Sequence, residues 1–311
     1  MKRILFTFLA GAAILTSCNK DKVYPDIKQY DSEQIQNYIN ANGLKNAMQR
    51  DTTGGDTSGI YYQIIDQGHG KNIEYSDRLN MVYTIRTFDG KYVATDTILN
   101  HYSGYLGQFA SLGLPKGLQS AIYNNLKNKG GSMRVLIPSR LAYGVNGTGS
   151  GSVENNSRIA GNQCLDYWVR IIDNQRGYDS VAIQNFATRN SINLSEYTRD
   201  ISGLYYKISG LDTGDVVTKS AYVSLSYSLY NLNNALIQQS SYSDTYDALI
   251  KAVQESLLST RNGQQVSLLI PTHLGYGDPA QLSNTGVVII PAFSCLKYDY
   301  TITAVTNYAQ E

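Results

Sequence analysis

Charge is scarce in this chain: only 16% of its 311 residues are Asp, Glu, Lys or Arg, and the formal net charge is +1. That balance removes the electrostatic case for nucleic-acid binding or for a polybasic membrane patch. Histidine is nearly absent too. His69, His101 and His273 are scattered, with no Cys or carboxylate at ligand spacing, so no metal site is expected. Three cysteines, Cys18, Cys164 and Cys295, are too few and too far apart for a disulfide scaffold. Nothing in the sequence has the form of an activated nucleophile, and no cofactor is implied. Long apolar runs are confined to one place, Ile4 to Leu15, which is too short to span a bilayer as a helix of roughly 20 residues.

That run has the form of a secretory leader. Lys2 and Arg3 supply a positive start, and Leu15-Thr16-Ser17-Cys18 resembles the lipobox of bacterial lipoproteins, in which cleavage precedes a lipidated cysteine. Residues 1–17 are then a lipoprotein signal peptide, Cys18 the lipidated first residue, and 18–30 a tether, which puts the protein in the cell envelope on the outer membrane. An ordinary cleaved signal with an incidental cysteine is the alternative. Polarity elsewhere comes from Asn, Ser, Gln, Thr and 26 tyrosines.

What is abundant is repetition. Ile137 to Gly144 reads IPSRLAYG and Ile270 to Gly277 reads IPTHLGYG; Ser58-Gly59-Ile60-Tyr61-Tyr62 returns 144 positions later as Ser202-Gly203-Leu204-Tyr205-Tyr206. The length suits two domains of ordinary size, placed at 31–176 and 177–311. Each opens on a helix, where Asp31-Ser32 and Asp179-Ser180 are expected to cap stripes at Ile35, Tyr38, Ile39 and at Ile183, Phe186, Ala187. These stripes are expected to pack on their own domain rather than on a partner.

Alternating strands follow. Leu79, Met81, Tyr83 and Ile85 oppose Arg78, Asn80, Thr84 and Arg86, and Val223, Leu225, Tyr227 and Leu229 alternate with serines, the pattern of a half-buried antiparallel sheet. Asp89-Gly90, and more weakly Asn233-Asn234, signal hairpins. Stripes Leu118, Ile122, Leu126 and Leu249, Val253, Leu257 predict a helix in each copy, stopped at Gly130-Gly131 and Asn262-Gly263. A strand then enters the IP motif, a Gly/Ser-rich loop at 146–152 follows it in the first copy, and a last alternating strand carries Tyr167 or Tyr298. Cys164 and Cys295 recur with that strand and are expected to be small buried groups rather than a bridge.

This order resembles the FKBP-type peptidyl-prolyl cis-trans isomerases, as two tandem copies. The matches at Leu141-Ala142-Tyr143-Gly144 and Gly117-Leu118-Gln119 carry most of the resemblance, which runs from about Ser58 to Asp173 in the first copy. It implies an α+β fold, a twisted antiparallel sheet wrapped around a short helix, with an apolar pocket between them. In the first copy that pocket would be lined by Tyr83, Val93, Tyr102, Leu114, Ile159 and Tyr167, with Tyr143 as the catalytic hydrogen-bond donor to a substrate carbonyl. The bland alternative is that these tyrosines are core. In the second copy Tyr227, Ile237, Tyr276, Ile290 and Tyr298 would line its counterpart.

The departures bear on activity. The family's aromatic-Asp pair falls at Val93-Ala94, its tryptophan at Leu114 and a nearby Ile at Ser111. Asp96 is a candidate replacement carboxylate, and Gln238 stands at that place in the second copy. The resemblance therefore implies a weakly active isomerase working through the first copy on proline-containing peptides or unfolded envelope proteins; the alternative is a non-catalytic peptide- or protein-binding lipoprotein. A glycan binder exploiting the tyrosines rests on composition alone.

Overall fold

Alternation of apolar and polar residues is the physical origin of both sheets, because side chains at i and i+2 share a face. The computed structural model describes residues 26–53, 57–153, 156–211, 213–258 and 260–307. The signal peptide, Cys18 and most of the tether lie outside the described residues. In the first half the elements are α1 (Ile27–Ala41), β1 (Gln49–Arg50), β2 (Tyr61–Asp66), β3 (Arg78–Thr87), β4 (Val93–Ala94), β5 (His101–Tyr105), α2 (Lys116–Ala121), β6 (Ser132–Ile137), β7 (Thr148–Gly149), β8 (Arg158–Ile159) and β9 (Leu165–Ile172). The second half has α3 (Gln175–Arg189), β10 (Thr198–Arg199), β11 (Tyr205–Ser209), β12 (Ala221–Asn231), β13 (Leu236–Thr245), α4 (Lys251–Leu257), β14 (Gln265–Ile270), β15 (Gln281–Leu282), β16 (Val288–Ile290) and β17 (Leu296–Asn307).

The two main sheets have one design. Strand order is β1-β2-β6-β9-β3-β4 in the first, with β5 also on β3, and β10-β11-β14-β17-β12-β13 in the second. Every pairing in them is antiparallel, and the registers correspond: Ile85 stands opposite Tyr167 as Leu229 stands opposite Tyr298. Separate two-stranded hairpins, β7-β8 and β15-β16, follow the two IP motifs. The duplication read from the eight-residue motif is thus a duplication of topology.

Each sheet is filled on its inner face by one short helix. Leu118, Ile122 and Leu126 are fully buried against Met133, Val135 and Ile137, and Val253 and Leu257 against Val266, Leu268 and Ile270. The first of these helices continues as one wide turn over Ile122–Leu126 and ends at Lys127, which takes a left-handed φ of 67°. The expected stop at Gly130-Gly131 therefore comes three residues early; Gly131 is needed for close passage, since a Cβ there would sit 2.7 Å from the Leu126 side chain.

The leading helices pack on the outer faces of their own halves, and α3 also touches the first half through Ile98 and His101. Ile35, Tyr38 and Ile39 cover Leu136 and Cys164, and Ile183 and Phe186 cover Tyr205, Leu269 and Cys295. Their starts differ from the expected ones. Helix α1 begins at Ile27, inside the expected tether, capped by Asp26, and α3 at Gln175, capped by Asn174. Asp31 and Asp179 are mid-helix and almost fully buried. They are cross-links rather than caps: Asp31 accepts from Ser139 Oγ at 2.6 Å and from the Arg140 guanidinium at 3.2 Å, and Asp179 accepts from Thr272 N at 3.0 Å and Oγ1 at 2.7 Å. The buried, unbridged cysteines lie against the same carboxylates, Cys164 Sγ 3.5 Å from Asp31.

Candidate functional site

Both IP motifs do the same local work. Pro138 and Pro271 end a ladder strand and begin a single 3-10 turn, and Gly144 and Gly277 close it at φ 61° and 57°, a region that glycine enters without steric cost. The turn is held from outside by Asp31 or Asp179. From inside, Gly117 lets α2 approach: a Cβ at that position would lie 2.5 Å from Ile137 and 3.2 Å from Leu141. Tyr143 is therefore carried on a turn clamped from two sides.

In the first half this arrangement leaves a hollow of about 210 Å³, lined by Tyr83, Ile85, Tyr92, Ala94, Asn100, Tyr143, Thr148, Gly149, Ser157, Ile159 and Tyr167. The Tyr143 and Tyr167 hydroxyls are 3.4 Å apart, and the Tyr83 and Tyr167 rings are tilted at 5.8 Å between centroids. The β7-β8 hairpin is the roof. It is tied down by Asn156, which accepts from Val93 N at 2.6 Å and donates to Val93 O at 2.8 Å.

Burial sets the protonation of these phenols. It pushes Tyr83 up to about 12 and raises Tyr143 and, strongly, Tyr167 above the ordinary tyrosine value. All three remain neutral hydroxyls at physiological pH. The hollow offers donors and aromatic faces but no carboxylate and no base. It can bind a small apolar group and hold a carbonyl; it is not equipped for proton abstraction.

Of the residues expected here, Tyr83, Tyr143, Ile159 and Tyr167 come together. Val93 does not join them. Ala94 pairs with the inward Ile85 and Val93 with Arg86, so Val93 takes the opposite face and Ala94 and Tyr92 take its place. Tyr102 and Leu114 pack on the same core beyond the walls of this hollow; Tyr102 is edge-on to Phe109 at 5.1 Å, and its buried hydroxyl has no protein partner. Asp96 does not turn inward either. Its carboxylate accepts from Ile98 N at 2.9 Å and Leu99 N at 3.3 Å, and its other oxygen accepts from Asn233 of the second half. Asn100 and Asn156 were not anticipated, since an Asn in a loop has no periodicity to betray it.

In the second half the corresponding wall positions also carry tyrosine rings, in closer contact. Tyr227 and Tyr298 stack at 5.1 Å and 7°, Tyr242 meets Tyr227 edge-on at 5.3 Å, and the Tyr242 and Tyr298 hydroxyls are 3.4 Å apart. Tyr242 stands opposite Leu225 as Tyr102 stands opposite Met81. Ile290 is buried, Tyr276 half-buried on that cluster, and Ile237 falls at an irregularity in the β12–β13 register. A larger cavity of about 740 Å³ opens between α3 and the end of β9, lined in part by Ile98, Arg170, Tyr178 and Leu232; it contains no residue of either IP motif.

The chain is thus a tandem pair of wrapped antiparallel sheets, the first with a tyrosine-walled hollow. No family model matches the chain. Among proteins of known function it is 26% identical over 218 residues to the human peptidyl-prolyl cis-trans isomerase FKBP10, covering 69% of this chain and 33% of that protein, and 22% identical over 225 residues to rat FKBP9, covering 72% and 35%. The chain spans about a third of the length of these curated relatives. Among solved structures it is similar to the three FKBP domains of wheat FKBP73 (14% identity, TM-score 0.31, 81% of this chain and 97% of that one) and to FkpA from Escherichia coli (20%, 0.35, 42% and 61%). The sequence matches cover about 70% of this chain. The chain is thus similar to FKBP-type peptidyl-prolyl cis-trans isomerases, and its two halves repeat one antiparallel topology.

Proposed function

We propose that the first domain is a prolyl cis-trans isomerase site of low efficiency and that the second is not catalytic. The observation that carries this reading is the hollow closed by the Tyr143 hydroxyl. Rotation about a peptide bond is opposed by about 18 to 20 kcal/mol because the C–N bond is partly double, and X-Pro bonds populate both isomers. No proton need move. A site accelerates rotation by binding the twisted amide better than the planar one, and an apolar cradle that removes water from the carbonyl while one hydroxyl anchors it has that effect.

The size agrees. About 210 Å³ is roughly seven water volumes at ~30 Å³ each and lies below the range of drug-sized pockets, so it suits one pyrrolidine ring and its amide. Low efficiency follows from Ala94 where the family has a carboxylate, from Leu114 where it has an indole, and from Asp96 being occupied elsewhere. Those absences favour the second reading, a peptide- or protein-binding domain without turnover. In the second domain Tyr227 and Tyr298 stack face to face where Tyr83 and Tyr167 are tilted apart in the first, which supports reading it as non-catalytic.

The setting is proposed with it: a lipoprotein anchored through Cys18 in the outer membrane, acting on unfolded or proline-containing envelope proteins. No helix among the described residues is long and apolar enough to cross a membrane. Fatty-acid labelling of the cells, lost in Cys18→Ser, tests the anchor. The activity is tested with the mature chain on a proline tetrapeptide, read as cis-to-trans exchange by NMR. Tyr143→Phe removes one neutral hydrogen bond worth ~1 kcal/mol and is expected to lower kcat/KM about three- to tenfold. Peptide binding without exchange by the wild type selects the second reading, and neither binding nor exchange overturns both.

A further inference from the structure

The strand beside the hollow differs between the two domains in one respect that the duplication does not explain. In the second domain β13 follows β12 along its whole length with a single-residue bulge at Ile237. In the first, its counterpart is split: Ala94 pairs with Ile85 and His101 with Val82, so the chain takes seven steps where β3 takes three. Four residues loop out.

This loop has two working sides. Inward, Ala94 and Asn100 are walls of the hollow. Asn100 is fixed there by its own backbone and side chain, donating from N to Asp96 O at 2.9 Å and from Nδ2 to Ala94 O at 3.0 Å, while its carbonyl accepts from Tyr83 N at 3.2 Å. Outward, the loop meets the second domain. Asp96 accepts from the Asn233 side chain, Ile98 packs into the cluster of Ile183, Phe186 and Leu232, and His101 Nδ1 is 3.0 Å from Phe293 O with its ring edge-on to Tyr178. Arg78, on the neighbouring strand, pairs with Asp278.

We infer that the second domain is a brace for the first domain's site: Asn233 and the Phe293 carbonyl are positioning groups that hold the looped-out segment, and through it Asn100 and Ala94, in the wall of the hollow. This gives the second domain a role that does not depend on a pocket of its own. Within its own sheet the looped-out segment is held by local turn bonds and one bond to Tyr83 N instead of by a ladder; its outer surface is fixed by another folded unit. The consequence for ligand binding rests on the reading of the hollow as a proline site, whereas the bracing itself does not.

The test uses the full chain and reads the two separately. Hydrogen exchange at the Ile98, Leu99 and Asn100 amides reports the brace with no ligand present, and Kd for a proline tetrapeptide reports the hollow. Asn233 is exposed, and Asn233→Ala is expected to leave the overall unfolding transition in place while exchange at those three amides rises at least tenfold and peptide Kd weakens about three- to tenfold. Asn233→Gln, which keeps the donor, should restore most of both, and Asn233→Asp, which opposes two carboxylates, should exceed the alanine effect. Asp278→Asn supplies an independent loosening at the same junction. Exchange unchanged in both Asn233→Ala and Asp278→Asn overturns the brace. Should the wild type fail to bind the peptide, the proline-site reading falls, and the exchange result still decides this one.

Discussion

Gly117 shows how closely one residue can hold a site together. It allows α2 to lie against the strand and turn that carry Tyr143, with no room for a methyl group. Alanine is the better helix former by about 1 kcal/mol, yet overpacking a tight contact costs about 1 to 3 kcal/mol. Gly117→Ala is expected to be destabilising by a net ~1 kcal/mol in urea unfolding and to weaken peptide binding more than that loss implies, because the displaced element bears on the turn of the motif. At this scale the sequence was informative for tyrosines and poor for their neighbours. Tyr83 and Tyr167 declared themselves by alternation, and Tyr143 by the repeated turn. Val93 was misplaced because parity was carried over from a family pattern instead of being counted inward from Ile85, which would have chosen Tyr92 and Ala94.

Among elements, the leading helices are the least obvious contributors. Their buried carboxylates reach the turn after the motif strand, so each helix is cross-linked to the loop that presents the motif tyrosine. Removing a buried partner leaves the other groups desolvated and unpaired. Asp179→Ala strands the Thr272 amide and hydroxyl and is expected to cost about 1 to 3 kcal/mol. Asp31→Ala strands the Ser139 hydroxyl and also removes the carboxylate facing Arg140, whose guanidinium keeps its bonds to the Thr57 and Ser58 carbonyls, and should cost somewhat more, about 2 to 4 kcal/mol; paired urea denaturation curves measure the difference. The existence, order and type of these elements were legible because periods of 2 and 3.6 persist over whole segments. The role of Asp31 and Asp179 was not. An acidic residue followed by Ser ahead of an apolar stripe has the form of a cap, and only the turn brought opposite it by the fold reveals the other partner.

The molecule as a whole is joined at a seam that contains the imidazole of His101. Burial lowers the pKa of His101, outweighing the Phe293 carbonyl and other groups that favour the charged form, among them the Ala292 and Thr97 backbone and Asp179. A histidine held below its unfolded value of ~6.5 contributes stability that is complete above that pH and is lost as pH falls through the folded value. The thermal midpoint is therefore expected to decline between pH 7 and pH 5, and less steeply in His101→Gln. The hollow should behave differently, since its neutral phenols do not titrate in that window. No motif announced the seam; its groups come from segments about 80 to 200 residues apart, and each is unremarkable in its own stretch.

The long course of β13, interrupted only by the bulge at Ile237, has a cost of its own. It is the last strand of its sheet and mostly exposed, and its ten residues carry a single charge, at Asp244. Such a margin offers main-chain donors and acceptors to any extended polypeptide with nothing to repel it. In the first domain the looped-out segment interrupts the same margin. Purified protein is thus expected to self-associate through the second domain as concentration rises, visible as growing light scattering, and a lysine at Ser241 should suppress it.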